Sequence, residues 1–179
     1  EEEEEDGAES KQQDEESARL DQLMGSMRWL TRGRRKAKEI IAKTLEKKSY
    51  SSDEVLMQKG GAAEHIYFIE EGTIEVFDDG ETLRKELKRG ESFGAVELLF
   101  GLPTSFTKAA GEAKVWRLPK ETMRKISSLQ GSKSMNSICK FLNKVSLFNV
   151  LVPEEKFSLA KSMEQRTFYH GEEIVREGD

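Results

Sequence analysis

The chain has 179 residues, a single cysteine and a formal net charge of −5. That length leaves room for one domain of ordinary size plus appendages, with a core that stands without disulfides. One thiol excludes an internal disulfide and a cysteine-cluster zinc site, so Cys139 reads as a small buried apolar residue in a reducing compartment. The apolar runs are too short to cross a bilayer, and the opening residues lack a signal-peptide pattern.

The charge is unevenly placed. Residues 1–19 hold ten acids against Lys11 and Arg19, a net −8, which leaves +3 for the remainder. An acidic, apolar-poor opening of this kind is expected to be a solvated tail or linker. The apolar residues Leu20, Leu23, Met24, Met27, Leu30, Ile40, Ile41 and Leu45 fall at helical spacing, broken near Gly33, and predict two helices joined by a turn. Between them "RRKA" (34–37) has the look of a kinase pseudosubstrate, but Lys38 follows where a large apolar residue is needed, and a polar helix turn is the simpler reading. The run has no interleaved aromatic residues, so no nucleic-acid partner is expected.

After Tyr50 the period changes. "EVLMQKG", "HIYFIEEGTIEVFDDGETLRKEL" and "AKVWRLP" are β-rich runs separated by turns at Glu71-Gly72 and Asp79-Gly80. They predict an antiparallel, jelly-roll-like barrel. Pro119 marks a helix start, with Met123, Ile126 and Leu129 on one face, and a further helix runs through Ile138, Phe141, Leu142 and Val145. The expected fold class is therefore α+β, a β-barrel flanked by N-terminal and C-terminal helices.

An internal repeat extends this reading. Residues 27–46 lie over 145–164 at an offset of 118, and 50–60 over 169–179 at 119, apolar positions falling on apolar positions. The expected organisation is an acidic tail over 1–19, a complete unit over 20–136, and over 137–179 a connecting helix and the start of a second unit, whose first strand region contains Asp179.

Gly90-x-Ser92-x-Gly94 matches the pattern of a serine-hydrolase elbow. The only histidines are His65, before the strand "IYFI", and His170 near the end, so a hydrolase using Ser92 stands as a remote alternative. The expected catalytic set is none, and unclustered histidines leave no metal site in prospect.

The helix pair, "VLMQKG", "YFIEEGTIEVF", the L-x-x-G-E-x-F-G pattern, "VWRL" and the trailing helix together resemble the cyclic-nucleotide-binding domain of cyclic-nucleotide-dependent protein kinases, from about residue 20 onward. The resemblance implies that the loop after Phe93-Gly94 is a phosphate-binding cassette, in which the family typically has Phe-Gly-Glu-Leu-Ala-Leu and, after a spacer, Pro-Arg-Ala/Thr-Ala-Thr. Laid on it without gaps, Phe93, Gly94, Gly101, Pro103 and Thr107 match and Val96 keeps an apolar position. Ala95 stands in place of the ribose-binding glutamate and Thr104 in place of the phosphate-binding arginine. Ser105 occupies a place where relatives selective for cGMP put a guanine-contacting hydroxyl, and Phe106 one where the family prefers a small residue.

Losing two charged hydrogen bonds, each worth roughly 1.5–3 kcal/mol, weakens binding by about a hundredfold to ten-thousandfold. The expectation is thus a degenerate regulatory module without a bound cofactor. It would couple neighbouring units and a kinase domain of a parent chain, most like a multi-unit cGMP-dependent kinase of apicomplexan type. The alternative is a working cGMP or cAMP sensor of such a kinase or of a cAMP-dependent kinase regulatory subunit. Among neighbours of the cassette, Glu97 is expected to face away from the ribose and Phe106 to fill part of the vacated pocket, and Lys108 could lend a positive charge whose reach sequence does not give. The implied location is cytoplasmic, with any peripheral membrane attachment carried by other parts of the parent.

Overall fold

The computed structural model describes residues 22, 23, 25, 27–31, 34–78, 81–130 and 134–178. The acidic segment 1–19 and the Asp79-Gly80 turn lie outside the described residues. In chain order the elements are α1 (Arg28–Thr31), α2 (Arg35–Thr44), β1 (Glu46–Tyr50), β2 (Val55–Met57), β3 (His65–Glu71), β4 (Ile74–Phe77), β5 (Leu83–Leu87), β6 (Ser92–Phe93), α3 (Ala95–Phe100), β7 (Phe106–Ala109), β8 (Ala113–Pro119), α4 (Lys120–Gln130), α5 (Met135–Lys144), a 3₁₀ turn (Ser146–Phe148) and α6 (Pro153–Ser162). This is the α+β arrangement expected: two four-stranded antiparallel sheets, β1-β8-β3-β6 and β2-β7-β4-β5, with helices before and after.

Strand β3 shows why its sequence is continuously apolar. Tyr67 and Ile69 point into the barrel with Val115, Ile74 and Phe93, whereas Ile66 and Phe68 face a second core formed by the helices. Both faces of the strand are covered, so alternation gives way to an unbroken hydrophobic run. That second core joins Leu30, Ile41, Met123, Ile126, Met135, Cys139 and Leu142, the last three from one face of α5. Cys139 is fully buried, as its composition suggested. Ser134 caps α5 by accepting a hydrogen bond from the Ser137 amide at 3.1 Å. Pro119 closes β8 and α4 starts one residue later.

Ala37, the last residue of "RRKA", is buried inside α2, and Arg34 donates from Nη1 to the Leu129 carbonyl at 2.8 Å. A stretch locked this way cannot extend across a kinase groove.

The backbone repeats at one constant offset. Helix α2 at 35–44 and α6 at 153–162 are 118 residues apart at both ends. The Ser51 amide donates to Glu54 Oε2 and the Tyr169 amide to Glu172 Oε2, again 118 apart. The left-handed residues Asp53 and Gly60 return as Gly171 and Gly178. The one-residue shift suggested by pairing Tyr50 with Tyr169 is therefore absent from the backbone, and Tyr50 corresponds to Phe168. The expected division after residue 136 falls inside α5.

Candidate functional site at the cassette

The cassette begins where β6 ends. Gly94 has φ +85°, and a Cβ there would sit 2.6 Å from the His65 carbonyl oxygen, so only glycine lets the chain turn this close to β3. Helix α3 follows for six residues, burying Ala95 and Leu99, and ends at left-handed Gly101 with the Leu102 amide bonded to the Glu97 carbonyl at 2.9 Å. Pro103 bridges to Ala62, and the chain returns as β7.

Between this loop and α6 lies a cavity of about 240 Å³. Six of the ten expected site residues border it: Phe93, Gly94, Ala95, Val96, Ser105 and Thr107. Gly101 and Pro103 instead border a separate cavity of about 510 Å³ beside α4. Thr104 is buried, its amide bonded to the Gly61 carbonyl at 2.9 Å and its hydroxyl donating to the Gln58 carbonyl. The side chain at the place of the family's arginine is thus committed to the neighbouring loop.

Three expectations about neighbours change. Phe106 packs on Phe77, ring centroids 5.7 Å apart, and does not border the cavity, because in β7 it points to the opposite face from Ser105 and Thr107. Lys108 is paired with Asp53 and lies 3.6 Å from Glu75, where its hydrogen bond to Asp53 raises its pKa. Glu97, expected to turn away, borders both cavities.

Sequence reasoning missed the far wall. Strand β5 contributes Arg84 and Lys85, and α6 contributes Glu154, Phe157, Ser158 and Lys161. Those four positions follow i, i+3, i+4, i+7 spacing, the one signal that a single face of α6 was in use. Arg84 reaches Glu154 at 3.3 Å and Asp78 at 3.6 Å. Phe157 meets Trp29 edge-on at 5.1 Å, and Lys161 lies 4.9 Å from the centre of the Phe157 ring. The cassette is therefore covered on this side by α6 residues at least 47 positions further along the chain.

Ser92 lies in β6 opposite Phe68, and no histidine is hydrogen-bonded to it among the described residues. His65, in the partner strand, is three residues from Phe68, about 10 Å along the strand. Glycines 90 and 94 serve left-handed turns. Among the described residues there is no cluster of potential metal ligands, and no helix is long and apolar enough to cross a membrane.

Residues 47–128 match the cyclic nucleotide-binding domain family. The chain is 27% identical over 144 residues to the cAMP-dependent protein kinase regulatory subunit of Blastocladiella emersonii, covering 78% of this chain and 36% of the relative. It is also 27% identical over 166 residues to that of Dictyostelium discoideum, covering 90% and 51%. It thus spans about a third to a half of the length of these curated relatives. In fold it is similar to the regulatory subunit of a cAMP-independent protein kinase A from Trypanosoma cruzi bound to guanosine, with TM-score 0.60 and 22% identity, covering 90% of this chain and 58% of that one. Over residues 47–128 the chain is thus similar to the cyclic nucleotide-binding domain, and beyond them to cAMP-dependent kinase regulatory subunits.

Proposed function

We propose that this segment is a regulatory module of a protein-kinase chain whose cassette no longer clamps a cyclic phosphate, and that it couples the helices before the barrel to a second unit opening at about residue 146. The observation that carries the reading is the pair of replaced contacts. Ala95 offers a buried methyl group where a ribose-binding carboxylate would stand, and the Thr104 hydroxyl is bonded to Gln58. The constant 118-residue offset supports the tandem arrangement. The regulatory subunits named above favour a parent of the cAMP-dependent type over the multi-unit cGMP-dependent kinase that the degenerate cassette brings to mind.

Isothermal titration of cAMP and cGMP into the protein tests the proposal. No heat of binding is expected at ligand concentrations up to a millimolar, and micromolar affinity for either overturns it. Restoring Ala95→Glu with Thr104→Arg should recover binding where the scaffold tolerates an arginine facing the cavity. A working sensor is the second reading. It draws on Arg84, Lys85 and Lys161, cations at the cavity that lie outside the cassette motif.

A further inference from the structure

Charge in the chain is sorted by element. Residues 20–45, which supply α1 and α2, hold seven basic residues against two acidic ones, a net +5, and residues 120–144, which supply α4 and α5, hold six against one, again +5. The barrel segment between them, 46–119, holds ten basic residues against fourteen acidic ones. The two basic stretches meet in space. Helix α2 packs on α4, and Arg34 Nη1 donates to the Leu129 carbonyl at 2.8 Å, which ties the start of one helix to the end of the other. One turn in from that contact Lys38 and Lys125 are both exposed, as are Lys36, Lys43 and Arg124 on the same two helices. None of these five forms an ion pair among the described residues, whereas on the barrel Lys47, Lys108, Lys114 and Arg117 are each paired with a carboxylate.

A basic surface left unneutralised repels itself and attracts anions. The chain holds an anionic segment of matching size: residues 1–19, outside the described residues, carry a net −8. Their connection to α2 is short. Glu16 and Arg34 are 18 positions apart, and a chain of that length reaches at most about 60 Å, whereas α2, at ten residues, is about 15 Å long. Such a tether holds the acids at an effective concentration on the order of millimolar, so that surface pairs that are weak singly act together. A single-stranded nucleic acid suits the surface less well, because no aromatic residues are interleaved among the cations for its bases to stack on. We infer that the acidic segment 1–19 docks in cis across the exposed basic surface of α2 and α4 and masks it from other polyanions. The inference is independent of whether the cassette binds a nucleotide.

Zero-length carbodiimide coupling of the full chain, read by peptide mass spectrometry, tests the docking, since it joins carboxylates only to amines they touch. Cross-links from the acids of 1–16 to Lys36, Lys38, Lys43 and Lys125 are expected to outnumber those to the barrel lysines Lys59, Lys85 and Lys88 at low salt. They should disappear at about 0.5 M salt, where the screening length falls to about 4 Å. Heparin, a polyanion, reads the mask. Replacing Glu2→Gln, Glu3→Gln, Glu4→Gln and Glu5→Gln together should raise heparin affinity about threefold, as when a surface open about one-tenth of the time becomes open about one-third of it. The variant Glu81→Gln, Glu112→Gln, Glu164→Gln and Glu177→Gln changes net charge equally at exposed acids elsewhere and should leave the affinity nearly as it was. Cross-links spread evenly over helix and barrel lysines, or equal gains in heparin affinity from the two variants, overturn the inference. Cross-links found only between two copies, in a mixture of isotope-labelled and unlabelled chains, overturn docking in cis. Heparin binding that the first variant does not strengthen shows a surface already open to polyanions and sinks the mask.

Discussion

Gly94→Ala separates two costs that a single glycine substitution usually confounds. At φ +85° any L-residue pays about 1–2 kcal/mol for the left-handed conformation. The new Cβ would also lie 2.6 Å from the His65 carbonyl oxygen, a backbone atom at the head of β3 that cannot swing aside. Forcing atoms into a closed contact adds about 1–3 kcal/mol, for a total loss of roughly 2–5 kcal/mol. Gly90 supplies the control: its φ is +87° and nothing lies within 4 Å of its added Cβ, so Gly90→Ala should cost only the conformational share. Urea denaturation followed by tryptophan fluorescence reads both, since Trp29 and Trp116 lie in the helical core and beside β3. Against a stability of about 5–15 kcal/mol, either loss is large enough to read. Equal losses for the two variants would refute the reasoning, because they would mean that the cassette turn relaxes away from β3 at no cost. The pair also bears on the serine-elbow pattern, since it assigns both of its glycines to backbone geometry.

The other expectations are brief. Burial, with Arg117 close by, holds the His65 imidazole below its usual pKa of 6.5. The folded state therefore takes up its proton less readily than the unfolded chain. Stability present at neutral pH is lost as pH falls through about 6.5 toward the folded value, and His65→Gln should flatten that part of a stability profile between pH 7.5 and 5.5. Burial likewise pushes Tyr67 up to about 12, with its hydroxyl bonded to the Leu56 carbonyl at 3.3 Å, so a spectrophotometric titration should show one tyrosine ionising above the usual value of 10. Phe157→Ala removes the edge-on contact with Trp29 and should cost about 1–2 kcal/mol with a change in tryptophan emission, whereas Arg84→Ala, at a partly exposed ion pair, should cost about 0–1 kcal/mol.

The barrel's middle was legible because β3 and β4 carry their burial in their residue types. The missing strands were silent for physical reasons. Strand β1, "EKKSY", is mostly exposed, and its charges are satisfied across the sheet, Lys47 by Glu70 at 3.0 Å and Arg117 by Glu46 at 2.6 Å, so no alternation of hydrophobicity marks it. Strand β6 is two residues long, and β7 lies inside the cassette where motif residues mask the period. At the site, the cassette could be read from local sequence. Its partners could not, because Arg84 and α6 reach the cavity only through tertiary packing.

Helices α2 and α6 make the same point from the repeat. They occupy equivalent places and feed the same helical core, yet α2 does so with Ala37 and Ile41 and α6 with Ala160, whose counterpart Ala42 is exposed. The face of α6 that borders the cavity, Glu154, Phe157, Ser158 and Lys161, corresponds to Lys36, Glu39, Ile40 and Lys43 on α2, three of which are exposed. Glu39 is satisfied there by Arg35 at 3.0 Å within its own helix, whereas its counterpart Phe157 is an aromatic ring held against Trp29. A charged residue suffices on a face that meets water, and an aromatic one is needed where the face must close over a cassette and displace that water. The two helices therefore differ in what this face borders, water for α2 and the cavity for α6.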